Sequence, residues 1–442
     1  MEMTASRLIA GSAAKDITPE GPQFLFGYPH VDRISTGVHD PLLSSALFLD
    51  DGETKLLLIA NDVVAVGNET IRLARRRIER ETGVPAANIL ISASHTHSGP
   101  MTMDLLSCEA DPVLPKADPA YVRRLEDGIV ASAVQACRNA QPAEIGLATA
   151  DGSCVGGNRH DPAGPTDPQT PILIVRSQEK FLAAMVVCSM HPTILHEDST
   201  LVSGDFPAMA RKHLQEQILG SDCPVLWHTG PSGNQSPRHV AQSNTFAETE
   251  RLGNLLGQSL SEAIGKIDYS SDISLGCARK MIELPAKTFP PVEEARSRLE
   301  RAAERLAAMR RSGTDSREIR TAECDWFGAE ETLTLALAAA SGRLREAIAS
   351  VMPAEVSLVR IGPWSFAGWP GEAFVEFSLR VKSACPNCFV IGLANGELQG
   401  YIVTEEAARE GWYEASNALF ASPESGDLLV ESTLELLGKF VR

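Results

Sequence analysis

His95 and His97, separated only by Thr96, are the residues of this chain whose type and spacing best suit chemistry. Alternate side chains of an extended segment project to one face, so both imidazoles can enter one pocket. One can hold a metal while the other moves protons, or both can hold it. Ser98-Gly99-Pro100 forces a turn directly behind them, which favours a functional loop. His191, in Cys188-Ser189-Met190-His191-Pro192-Thr193, closes an apolar run. It is either a core imidazole satisfied by backbone or a second metal ligand. Glu372 follows Trp369-Pro370-Gly371, a bend from strand to helix. It either complements the helix dipole or supplies a carboxylate ligand. Two histidines and one carboxylate form a catalytic zinc set that leaves a coordination position open for water. Ser236, in the turn Gly233-Asn234-Gln235-Ser236-Pro237, and Tyr401 complete the candidates.

Each candidate follows an apolar strand. Ile89 to Ala93 precedes His95, Phe181 to Val187 precedes His191, and Pro224 to Trp227 precedes the Ser236 turn. Trp364 to Gly368 precedes Glu372, and Phe389 to Leu393 precedes Tyr401. Strand exits in α/β proteins converge on one crevice, so five such exits predict one site built from distant segments. Between the strands, periodicity predicts helices over 69–82 with Asn68 as cap, over 119–138 behind Pro119, and from a cap at Asp205 to about Leu219. Further helices are predicted over 246–265, 373–383 and 427–440. Residues 291–350 are dense in Ala, Arg, Glu and Leu, with a break near Ser312 to Ser316. They read as a helical hairpin inserted into one domain spanning 1–442 and packed on the main body. No internal repeat is evident. The fold class is α/β, a mixed β-sheet core flanked by helices.

The chain has 442 residues, 43% hydrophobic and 22% charged, an ordinary balance for a sizeable core. Its formal net charge of -17 argues against nucleic acid and anionic lipid as partners. No apolar run reaches signal-peptide or transmembrane length, so a cytoplasmic protein with no stable membrane association is expected. The nine cysteines agree with free thiols. Cys385 and Cys388, in a lone CPNC pair, read as structural.

Together these motifs resemble the neutral/alkaline ceramidase family. Ser94 to Pro100 is similar to its THTHSGP hallmark. Gly11 to Pro19 with Gly27-Tyr28, Gly37-Val38-His39 and Gly157-Asn158-Arg159 follow. His191-Pro192-Thr193, Trp369-Pro370-Gly371-Glu372 and Gly400-Tyr401-Ile402-Val403-Thr404 complete the family's order. The likeness runs from about residue 7 to the end. It implies one Zn2+ per chain, held by His95, His191, Glu372 and Tyr401, with His97 and Arg159 lining the site. The family's serine lies in Gly-Asp-Val-Ser-Pro-Asn; here Ser236 keeps its place among changed neighbours. Ceramidases carry a C-terminal immunoglobulin-like domain and are exported. This chain ends after the catalytic part, so a small soluble amide is expected as substrate in preference to ceramide. The implied mechanism is amide hydrolysis by metal-activated water, with His97 moving protons, Arg159 or Tyr401 stabilising charge and Ser236 orienting the carbonyl. An esterase or lactonase at the same centre, ceramidase activity proper, and an inactive metal-binding protein are the alternatives.

Overall fold

A computed structural model describes residues 8–440. Three units, each a sheet built on one four-strand pattern, succeed one another along the chain, and the first gains a short fifth strand, Gln141–Pro142, beside Ile9–Asp16. In the first, Ile9–Asp16, Leu43–Asp50 and Lys55–Asn61 run antiparallel in turn, and Ile89–Ala93 lies parallel to the third. Glu144–Asp151, Gln169–Ser177 and Lys180–Cys188 repeat the pattern, with Val225–Thr229 parallel to the last. Leu275–Ile282, Ala354–Ile361 and Trp364–Gly368 repeat it again, closed by Cys388–Ile391. Only a crossover can link parallel neighbours, and each unit uses a helix for it: Asn68–Thr82, Asp205–Leu214 and Val375–Ala384. A second helix follows each fourth strand: Pro119–Arg138, Phe246–Ile264 and Pro423–Gly438. The sequence carries this threefold repeat of topology without repeating its residues.

Strand alternation sets the layers. Leu56, Leu58 and Ala60 point to one face, while Leu57 and Ile59 point to the other. The first set joins Leu173, Val175, Leu226, Val359, Phe366 and Ile391 in a core shared by all three sheets. The second set meets its own unit's helices, through Ile71, Ala74 and Ile78 on one and Leu125 and Ile129 on the other. The outer faces of the second and third sheets are covered likewise. This is a mixed sheet core flanked by helices, as the apolar runs imply.

Local departures from expectation have physical causes. The helix expected to be capped by Asn68 begins at Asn68 itself, with Gly67 at the cap position. The Asn68 side chain is engaged elsewhere: its Oδ1 accepts the Glu397 N–H at 2.8 Å. Asp205 is not the cap of its helix but its first residue, held at φ 56°, and its carboxylate accepts the N–H groups of Leu195 and Phe206. That helix ends in a π turn over Gln215–Leu219 before Gly220. The last helix starts at Pro423, four residues ahead of expectation, because Pro at the first turn needs no N–H partner.

The three connections from first to second strand differ most. The first unit uses 17–42 and the second 152–168. The third uses a long excursion with helices Val292–Ser312, Ser316–Ser341 and Arg343–Val351. All nine cysteines are free, and Cys388 is buried in the core of the third unit.

Candidate metal centre

In every unit the third and fourth strands are parallel neighbours, so they leave the sheet side by side. Their exits build the centre. In the first unit, Val63 and Val64 leave one strand and His95 the other. The His95 N–H donates to Val63 O at 3.0 Å, and its Nδ1 to Val64 O at 2.7 Å. His95 sits at φ 70°, a left-handed conformation that a non-glycine residue adopts at a cost. In the second unit His191 leaves the third strand. Its Nδ1 meets Ser232 O at 2.6 Å and Gln235 O at 3.0 Å, both from the turn after the fourth strand. In the third unit Glu372 and Tyr401 leave the two strands and pair in register.

His97 is held by the first unit's long connection. Its Nδ1 lies 3.1 Å from Gly27 O. Gly27 is required there: at φ 126°, a Cβ would fall 2.5 Å from His97 Nδ1.

All three imidazoles therefore turn Nδ1 to a backbone carbonyl, which only an Nδ1–H can satisfy. That tautomer leaves each Nε2 lone pair facing inward. The ligand atoms of His95, His97 and His191 lie within 4.8 Å of one another. Glu372 Oε2 reaches His191 Nε2 at 3.0 Å and His95 Nε2 at 3.1 Å. His97 Nε2 is 3.4 Å from His95 Nε2. Two inward lone pairs at that distance repel unless a cation or a proton lies between them, so the donor set fits a divalent metal such as zinc. His95, His191 and Glu372 come together as the sequence motifs imply, and His97 joins the same cluster as a third imidazole.

Burial and mutual charge set the proton affinities. Burial raises Glu372, yet His95 and His191 outweigh it and hold the carboxylate well below its ordinary range. Burial opposes charge on His95, but Glu372 prevails and raises it. Burial, His95 and His191 push His97 well below its usual value, so it is a neutral base at pH 7. Burial lowers His191 as well. Burial, then Glu372, raises the Tyr401 phenol well above its ordinary value, so it keeps its proton.

Arg159 and Ser236 stand behind this group. The Arg159 guanidinium lies 5.5 Å from the Tyr401 ring centroid. Its Nε donates to Glu414 at 2.8 Å, and a second nitrogen reaches the same oxygen. Burial raises Glu414, but Arg159 and then His160 bring it down to about 2. Ser236 Oγ accepts the Arg238 N–H at 3.3 Å. Its turn holds His191 through the two carbonyls above, and Asn234 ties it to the third unit by accepting the Val375 N–H at 3.0 Å. Neither Arg159 nor Ser236 lines the cavity in front of the cluster, whereas His95, His97, Glu372 and Tyr401 form its floor.

That cavity encloses about 1030 Å³ including its mouth. Two of its residues escape sequence reasoning. Glu397 is buried beside His95 and Glu372, and Glu331 projects from the helix Ser316–Ser341. Glu397 lies four residues before Tyr401, behind the turn-forming Asn395-Gly396. Glu331 interrupts the buried stripe Phe327 to Leu335 at helical spacing. Those were the available signals.

Residues 8–225 match the family model described as neutral/alkaline non-lysosomal ceramidase, N-terminal. A neutral ceramidase of Mycobacterium tuberculosis is 24% identical over 487 aligned positions, covering 93% of this chain and 74% of that protein. Among solved structures, the neutral ceramidase of Pseudomonas aeruginosa superposes with a TM-score of 0.74 at 18% identity, over 98% of this chain and 75% of that one. A ceramidase complexed with C2 superposes equally well at 16% identity.

Proposed function

We propose that this chain, whose residues 8–225 match the neutral/alkaline non-lysosomal ceramidase family, is a member of that family and a zinc-dependent hydrolase of linear amide bonds. The observation that carries the zinc is the set of three Nδ1–carbonyl contacts, which fixes three Nε2 lone pairs around Glu372. His95, His191 and Glu372 hold the ion, with Tyr401 at its side. When bound, zinc supplies a water nucleophile near neutral pH and polarises the carbonyl.

The chain's own residues do the rest. His97, neutral and with its Nε2 lone pair facing the cluster, accepts the proton of the attacking water and passes it to the leaving nitrogen. Such groups contribute roughly 10²–10⁴-fold. Tyr401 keeps its proton and donates a hydrogen bond to the oxygen that gains charge. Arg159, anchored by Glu414, is a positioning residue that holds the Tyr401 ring. Ser236 positions His191 through its turn and is not the nucleophile.

The substrate we favour is a small amide with an acyl or amine chain short enough to lie in the cavity. Ceramide is the second reading, favoured by the apolar walls Phe26, Val64, Met103 and Leu114. Hydrolysis of short N-acyl amines and of long-chain ceramide, measured before and after chelation, tests both. Activity on short amides that chelation removes and zinc restores is expected. Activity that survives complete metal removal would exclude the proposal.

A further inference from the structure

We infer that the amide substrate carries a second, protonated amino group, received by Glu331 in the cavity wall made by the helix Ser316–Ser341. This rests on the amide-hydrolase reading above and names its substrate class.

Among the described residues, five carboxyl groups line the cavity and no lysine or arginine does. Four of the five have nitrogen partners on at least one oxygen. Glu372 meets the histidines. His30 serves Glu330 through Nε2 at 2.6 Å, and its backbone N–H serves Asp111 at 2.7 Å. Glu397 lies next to the metal cluster, accepting the Gly400 N–H at 3.1 Å. Glu397 Oε2 and Glu331 Oε2 both lack a hydrogen-bond partner, but Glu397 abuts His95 and Glu372, whereas Glu331 stands on the helical wall. It is 5% exposed; one oxygen is 3.9 Å from the Cys108 thiol, and the other has no hydrogen-bond partner. A buried carboxyl oxygen left unpaired is costly, and a ligand donor would remove that cost.

The surroundings select the donor. Phe327 and Tyr413 line the same cavity, and aromatic faces attract cations. Beside Glu331 a substrate carboxylate would meet Glu330 and Asp111. The groups facing Glu331 are Glu330 on its own helix, Asp111 and Cys108 on the preceding loop, and Asn417. Burial, then Glu330 and Asp111, bring it up to about 8 against Asn417 and the Cys108 thiol, which lower it. An arriving ammonium stabilises the ionised form, so the carboxyl gives up its proton as the cation binds.

Three probes of matched length test this: the N-acetyl derivatives of 1,4-diaminobutane, of pentylamine and of 4-aminobutanoate. The zinc-loaded protein is expected to prefer the cationic probe over the neutral one by about 10-fold or more in kcat/KM, chiefly through KM, and to disfavour the anionic one further. Glu331→Gln should bring the cationic-to-neutral ratio towards one, and Glu331→Asp should restore part of it. Calorimetric binding of the same probes reads the preference without turnover. If no probe is hydrolysed, the amide-hydrolase reading fails; if the cationic probe has no advantage in either readout, this inference fails. An advantage that Glu331→Gln leaves intact, in protein of unchanged melting temperature, would also overturn it.

Discussion

The histidine–glutamate cluster and the helical wall of its cavity are built in different ways. His95, His191 and Glu372 each sit within a few residues of a strand end, and the second nitrogen or neighbouring backbone of each is fixed by the adjacent strand exit. The wall hangs from a long excursion, and its cavity-facing residues Phe327, Glu330 and Glu331 are set by how one helix packs on loops far away in sequence. The difference suggests a division of labour. The repeated units fix the clustered side chains at strand ends, and the excursion supplies a wall of the cavity in front of them.

The sharpest way to break this comparison is at the strand exits. His95→Ala and His191→Ala should each abolish hydrolysis and leave the fold intact, since three units still share one core. Loss of activity with an unchanged circular dichroism spectrum is the expected outcome. Residual activity within 10-fold of the parent would show that the centre lies elsewhere. His97→Ala comes next, with a loss of roughly 10²–10⁴-fold in kcat. The zinc stays if His97 only moves protons. If zinc is lost as readily as from His95→Ala, His97 is a ligand, as its place in the cluster also allows.

The same comparison explains what the sequence conveys. His95, His191 and Glu372 are legible because a strand exit is a local event: an apolar run, then a turn residue, then a polar side chain. Their order also matches a family pattern. The threefold repeat of topology is not legible, because strand alternation constrains burial and not residue identity. Leu58, Leu173 and Val359 do one job with different neighbours. Glu331 is hidden for another reason. Within its helix it reads as one acid among many, and only the packing of Asp111, Cys108 and Tyr413 around it makes it exceptional. Arg159 and Ser236 are brought near the cluster, yet their side chains face Glu414 and the Arg238 N–H. No spacing rule reports a side chain's direction.

Smaller effects sharpen the picture. Ser236→Ala should reduce turnover by about 10-fold, through loss of the cap on its turn and a slight shift of His191, and well short of the 10²–10³-fold seen when an oxyanion donor is removed. A covalent acyl adduct on Ser236, trapped by rapid quenching and detected by mass spectrometry, would instead make it the nucleophile.

The smallest effect concerns stability and belongs to the wall. Folding raises Glu331 from the ordinary carboxylate range to about 8. Between those limits the folded protein keeps a proton that the unfolded chain has lost, so stability falls as pH rises through that window. Glu331→Gln cannot ionise. Its melting temperature should therefore decline less than the parent's between pH 6 and pH 9, by roughly 1–4 °C. Parallel declines in the two proteins would mean that Glu331 is not held protonated.

The most direct test of the central claim is elemental analysis of protein purified without added metal. About one zinc per chain is expected in the parent protein and in Ser236→Ala. Little or none is expected in His95→Ala, His191→Ala and Glu372→Ala. Zinc bound equally by the parent and by these three variants would contradict the assignment of the strand-exit cluster as the metal centre.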